Sequence, residues 1–423
     1  MHFEPTGRAE EFRNAVAGFF ASDVLPRHRD WVQQVMREGH EADFLPALRA
    51  KAREQGLWNL ALPELTESEP GTRLSNLEFA PLAEIMGKLP WGSQVFNCQA
   101  PDVPNMAMLQ ALADPEQKER WLNPLLEGDT RSAFAMTEPD VASSDASNIA
   151  TRISFEGDQI RINGRKWFAT GGAHPECSFL IVMGVSDPEA GRTERQSMVI
   201  VPTDAPGVTI TRDLTYLGWA DHVAPIAQIE LQDVVVPAKN LLGERGRGFK
   251  GAQVRLGPAR IHHAMRCIGL AEMLVELMIV RARERTAFGR SVIDYDTIQR
   301  WIGEARVEID MNRLAVQRCA WLLDQGGDSA SWRPVSMIKV SVPNMLQKIA
   351  DRALQIFGAM GGLDDLPIHH AFAYARWFRI GDGPDEVHLR QIFRSEPQPE
   401  WSLEDSPYLA VPEAAQPVRR AAE

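Results

Sequence analysis

The hydrophobic period of this chain changes twice, and few architectures satisfy both changes. From Glu10 to about Gly128 apolar residues recur at three- and four-residue spacing, as in Phe12, Val16, Phe19 and Phe20, the repeat of an amphipathic helix. Between Ser132 and about Gly243 the period falls to two. Phe179–Val185, Ser197–Val201, Val208–Thr211 and Ile226–Val236 read there as strands separated by Gly, Pro and Asp. From Gly248 the helical repeat returns in longer stripes, one through Ile261, Ala264, Met265, Ile268, Ala271, Val275 and Met278, another through Ile298, Trp301, Ile302, Ala305, Ile309, Val316 and Leu323. The spacing predicts an α+β multi-domain chain. Its parts are an N-terminal α-helical domain over 1–131, a compact central β domain over 132–245, a C-terminal α-helical domain over 246–396 and a loose tail over 397–423. A length of 423 residues also exceeds what one ordinary core holds.

Local signals sharpen the boundaries. Asp114 followed by Pro115 reads as a helix N-cap and first turn. Asn163-Gly164 between apolar runs reads as a hairpin turn. Gln355-Ile-Phe-Gly358 reads as a helix end.

Composition removes several function classes. A net charge of −12 disfavours binding to nucleic acid. Cys98, Cys177, Cys267 and Cys319 are scattered, which argues against a disulfide framework or a zinc site and for a reducing compartment. No apolar run reaches the roughly 18 residues of a membrane span, and no basic-then-apolar leader opens the chain, so a cytoplasmic location is expected. His262-His263 and His369-His370 are adjacent pairs that splay to different helix faces, so no metal site is expected.

The segment Arg379-Ile-Gly-Asp-Gly-Pro-Asp-Glu-Val-His388 carries the sharpest chemical signal. Asp382 stands before a Gly-Pro step and an acidic first turn, and two readings compete. As an N-cap it would be held as the anion; as a base it would need desolvation to raise its pKa. Upstream, Phe134-Ala-Met-Thr-Glu-Pro139 and the small hydroxyl residues through Asp145 can form a wall and a phosphate-facing loop for a flat cofactor, or simply a polar connection. Lys166-Trp-Phe-Ala-Thr170 offers a stacking ring, or ordinary core aromatics. The basic run Arg281–Arg290 suits a pyrophosphate, or only the negative end of a helix. Gly358, Gly361 and Gly362 allow close backbone approach or mark a terminus. Neither a GxGxxG after a strand nor a P-loop is present.

Taken in order, these blocks resemble the acyl-CoA dehydrogenase family over about residues 10 to 396, and the resemblance implies that the central domain is β-barrel-like and the C-terminal one a four-helix bundle. Gly56-Leu-Trp-Asn-Leu60, Phe96–Asp102, Thr137–Asp145, Arg255–His263 and Asp382–His388 are most similar to the branch of family members ten and eleven. The resemblance implies an FAD-dependent dehydrogenase that converts an acyl-CoA thioester to the 2-enoyl-CoA, and its narrower branch points to thioesters of 4-hydroxyacyl type. The alternative it leaves open is a flavin oxidase of the same superfamily. It implies Asp382 as catalytic base in place of the usual glutamate, with Ala259 where some members carry theirs. It implies Phe134, Met136, Thr137, Ser144, Phe168, Thr170 and Gly383 around the flavin, with Arg285, Phe288, Gln355 and Gly358 reaching it from a neighbouring subunit. Arg260, Ser144, Asn97 and Gln99 are implied on the substrate side. The implied partners are an electron-transfer flavoprotein and further copies of the chain, as homodimer or homotetramer. Asp296, near where a glutamine usually meets FAD, departs from the pattern.

Overall fold

The structure is a computed structural model that describes residues 6–409 apart from 40, 327 and 404, with no side chains for 328–331. Of the expected tail, residues 410–423 lie outside the described residues.

Helices fill the chain up to Glu127, with the Asp114 cap formed as expected: its carboxylate accepts from Gln117 N at 2.8 Å, with Pro115 in the first turn. Strands β1 (Arg131–Ala135), β2 (Arg152–Glu156), β3 (Gln159–Thr170), β4 (Cys177–Val185), β5 (Gln196–Pro202), β6 (Val208–Leu214), β7 (Ile226–Pro237) and β8 (Leu241–Leu242) form one sheet. Its order is β6-β7-β3-β2-β4-β5-β8, with β1 paired in parallel to β4. The ladder does not close, yet the sheet wraps a core of its own from Ala133, Ile153, Ile160, Leu180, Val199 and Ile229. Strand alternation gives β4 two buried faces. Leu180 and Val182 enter that core, while Phe179, Ile181 and Met183 enter a larger one shared with the helices.

One turn prediction fails. Asn163-Gly164 is not a hairpin turn but the middle of the twelve-residue β3, and the β2–β3 turn falls at Gly157-Asp158, between paired Glu156 and Gln159. The glycine serves close packing instead: a Cβ on Gly164 would lie 2.4 Å from Thr151 Oγ1. Asn163 Oδ1 accepts from Asp233 N at 2.8 Å across the bulged ladder with β7.

The C-terminal bundle consists of Gly248–Glu284, Asp296–Asp324, Asp328–Phe357 and Pro367–Phe378, followed by Asp385–Arg394. The third helix ends at Phe357, before left-handed Gly358, as read from the sequence. The helix Asn76–Gly87 crosses the first bundle helix in backbone contact. A Cβ on Gly269 would sit 1.9 Å from Glu84 O, and one on Gly87 would sit 2.5 Å from Arg266 O. That close crossing sets where Arg266 projects.

Candidate active site

The turn from 379 to 384 joins the last two helices, and its backbone is gripped from several sides. Asp385 N donates to Arg379 O at 3.1 Å, while Arg379 Nε and Asn344 Nδ2 donate to Asp385 Oδ2 at 2.8 and 3.0 Å. Buried Lys339 donates to Phe378 O and, at 3.1 Å, to Gly383 O. Arg260 Nε and His388 Nε2 donate to the main-chain oxygen of Asp382 at 3.0 and 3.2 Å. Asp382 itself is left-handed, at φ 55°. Such a conformation is unusual for a non-glycine residue and persists where surrounding contacts enforce it.

This decides between the two readings of Asp382. The following helix is capped at Pro384 with no side-chain cap, so Asp382 caps nothing. Every anchor takes a carbonyl or the neighbouring Asp385. Among the described residues none donates a hydrogen bond to the Asp382 carboxylate, whose side chain is 16% exposed.

Charge holds the carboxylate ionised without binding it. Burial pushes its pKa up, but His263, Arg255, Arg260 and Lys339 together bring it below the ordinary carboxylate value. Burial, then the Arg266 guanidinium, push the His263 pKa well below its ordinary value, against the opposing pull of Asp382. Its tautomer follows from its neighbours. Arg266 Nη2, which can only donate, lies 2.9 Å from His263 Nδ1, and Tyr374 Oη lies 2.6 Å from the same nitrogen. Nδ1 therefore accepts, and the proton on Nε2 faces Asp382 Oδ2 at 3.7 Å. The remaining cations are Arg255, pushed down to about 10 by burial, Arg260, and Lys339, pushed down to about 8 by burial.

His263 also lines a cleft with Thr170, Asp221, Arg266, Tyr374 and Trp377, which brings the end of β3 to the same centre. Met136 and Thr137 lie just past β1, and Thr137 Oγ1 donates to Trp167 O at 2.6 Å. Phe134 is buried beneath the Arg255 guanidinium, 4.6 Å from its ring centroid. Phe168 occupies a left-handed bulge in β3, edge-on to Trp167 at 5.1 Å, and Ser144 is exposed. The loop from 136 to 151 is clamped from below. Lys166 Nζ donates to Met136 O, Glu138 Oε1 and Met183 O at 2.9, 2.8 and 2.6 Å, and Glu138 accepts from Ala150 N and Thr151 N at 2.7 and 2.9 Å.

Other candidates stand apart. Arg285 ends the 37-residue helix, and Phe288, 99% exposed, tips the hairpin of β9 (Thr286–Ala287) and β10 (Arg290–Ser291). Gln355 and Gly358 are exposed at the end of a neighbouring helix, whose Phe357 ring lies under Arg281. Asn97 and Gln99 face inward. Asn97 Nδ2 donates to Asn59 Oδ1 and Leu125 O at 2.8 and 2.9 Å, and Gln99 Nε2 donates to Asp102 Oδ2 at 3.0 Å. Neither lines the cleft.

Sequence reading assigned no part in the site to Lys339, Arg266 or Tyr374, and placed Arg255 and His263 only within a block that carries the family resemblance. As an individual side chain His263 was weighed as a metal ligand; of its partners Arg266 follows on the same helix, while Tyr374 and Asp382 come from later in the chain, where no local pattern marks them.

Models of the acyl-CoA dehydrogenase N-terminal, middle and C-terminal domains match residues 6–129, 133–234 and 246–396. FadE2 of Mycobacterium tuberculosis, named a probable acyl-CoA dehydrogenase, is 44% identical over 94% of this chain and 97% of its own length. Human acyl-CoA dehydrogenase family member 11 is 38% identical over 92% of this chain, which spans only 50% of that protein. A solved chain from Mycobacterium abscessus is 46% identical with a TM-score of 0.89, covering 93% of this chain and 98% of its own.

Proposed function

The chain belongs to the acyl-CoA dehydrogenase family, FAD-dependent oxidoreductases acting on CH–CH bonds, and on that premise we propose that Asp382 takes the α-proton of an acyl-CoA thioester. The observation that carries this is a carboxylate held ionised in a partly buried site while accepting no hydrogen bond from any described residue. A base so placed is free to receive a substrate proton. Polarising the thioester carbonyl requires donors aimed at its oxygen. The amides of Asp382 and Gly383 donate to no described residue and are available for that purpose.

The residues present fit FAD. Phe168 and Trp167 offer a partly exposed aromatic edge, the clamped loop presents Met136, Thr137 and Ser144, and Thr170 closes the cleft. Buried Arg281 Nε lacks a partner, as a phosphate-facing guanidinium would. When bound, FAD supplies the acceptor for the β-hydride. Phe288, bare at a hairpin tip beside Arg285, fits a group offered together with exposed Gln355 and Gly358 to the FAD of a second copy of the chain. Arg260 and the exposed Ser144 remain our candidates on the CoA side, although Arg260 already holds the Asp382 carbonyl. An electron-transfer flavoprotein is the acceptor we infer. Among the described residues no helix is long and apolar enough to cross a membrane.

The finer substrate reading is an acyl chain oxygenated at its fourth carbon. Asn97 and Gln99 give it no support, because both are tied into an interior network.

The test is Asp382→Asn. The purified variant should keep its yellow colour, while substrate-driven flavin bleaching in a stopped-flow instrument slows by about 10² to 10⁴. Wild-type bleaching in that variant would remove Asp382 from the chemistry.

A further inference from the structure

The torsion between the Asp382 Cα and its carbonyl carbon sets two things at once. A trans peptide is planar, with its oxygen and its N–H pointing opposite ways. Rotation about that bond therefore swings the Asp382 carbonyl and the Gly383 amide together, relative to the carboxylate. Whatever holds the carbonyl oxygen fixes the angle between the base and the amide available to the thioester. Two donors hold it, Arg260 Nε at 3.0 Å and His388 Nε2 at 3.2 Å, and together they fill the lone pairs of that oxygen.

The His388 ring is held from both sides for this contact. It belongs to the first turn of the helix Asp385–Arg394 and is 3% exposed. Gly383, at φ 103°, lies against it: a Cβ there would sit 2.9 Å from His388 Nε2. A carbonyl can only accept, so Nε2 carries the proton. Burial pushes the His388 pKa down to about 4, which leaves Nδ1 bare at neutral pH. Buried Ser336, from the helix Asp328–Phe357, donates its hydroxyl to that nitrogen at 3.2 Å. The serine thereby favours the tautomer that donates to Asp382. Left-handed backbone is disfavoured for a residue with a side chain, so Asp382 at φ 55° relaxes when such contacts are withdrawn.

We propose that His388, its tautomer set by Ser336, is a positioning residue that aims the Asp382 carboxylate and the Gly383 amide at one substrate. This rests on the base assigned to Asp382 above. Two amide side chains separate the role from simple packing. Gln places a nitrogen where Nε2 stands, whereas Asn places one only where Nδ1 stands.

Stopped-flow bleaching of the holoenzyme by butyryl-CoA, octanoyl-CoA and palmitoyl-CoA tests this, with rates referred to bound FAD so that a poorly folded fraction cancels. His388→Asn and His388→Leu should lower the limiting rate at saturating thioester by on the order of 10², as a misaimed base does. Their half-saturating concentrations should stay within about twofold of the wild type, since the loss falls on the chemical step. His388→Gln should recover most of the rate, and Ser336→Ala should cost roughly tenfold. A second readout needs no turnover. The Raman carbonyl stretch of bound 2-octenoyl-CoA, lowered by hydrogen bonding in the wild type, should return toward its free-solution value in the Asn and Leu variants. If the Leu variant does not fold, the comparison of Asn with Gln decides. Wild-type limiting rates in the Asn variant, a loss confined to the half-saturating concentration, an unmoved carbonyl stretch, or a Gln variant as slow as Asn overturns the inference and leaves the dehydrogenase intact. A wild type bleached by none of the three thioesters sinks instead the reading on which it rests.

Discussion

Two carboxylates in this protein, buried Glu138 and partly buried Asp382, meet cations in opposite ways. Glu138 is fully engaged: Lys166 and two backbone amides donate to it, and Lys166 fills its other donors with carbonyls. Asp382 has more positive charge nearby, yet each cation is bonded elsewhere. Arg255 donates to Asn105 at 2.8 Å, Arg260 to the Asp382 carbonyl, and Lys339 to two other carbonyls. Hydrogen bonds fix a carboxylate in place, whereas unbonded charge only keeps it ionised. The first arrangement builds a clamp under a loop; the second leaves a group that can accept a proton.

Exchanging the insults should separate the two sites most sharply. Lys166→Met breaks a buried pair and should cost about 3–5 kcal/mol of stability, seen as a lower thermal midpoint. A wild-type melting curve for that variant would erase the distinction. Asp382→Asn should show its large effect in flavin reduction instead. A smaller effect is expected at Lys339. Replacing it with Met removes one of the charges that depress the Asp382 pKa, so the acid limb of kcat/KM should move upward while the yellow cofactor is retained. An unmoved limb would show that Lys339 serves only the backbone. The mildest test is the wild-type profile itself. The base works only when ionised and its pKa is depressed, so activity should stay level through neutral pH and fall only as pH drops through that lowered value. An acid limb near neutrality would mean that desolvation outweighs the cations.

Part of this was legible along the chain. The period switches located the helical and β blocks, Asp114 and Gly358 marked real helix ends, and Asp382 stood out beside its Gly-Pro step. Gly164 misled because a glycine after asparagine signals a turn only when its freedom is spent on backbone angle. Here it was spent on the approach of Thr151. Asn97 and Gln99 misled because polarity in a sequence does not tell a cleft wall from an interior network. Arg266 and Asp221 drew no notice, since each looks like a common surface residue until helix and loop bring them to one cavity.

Local periodicity and turn chemistry act over a few residues, so the order and kind of elements were written in the sequence itself. The surroundings of Asp382 were not. Arg260 and Lys339 reach its turn from 122 and 44 residues away, on separate helices. Whether a carboxylate becomes a cap, a clamp or a base depends on which charges come near and whether any of them bonds to it, and only tertiary packing sets those distances.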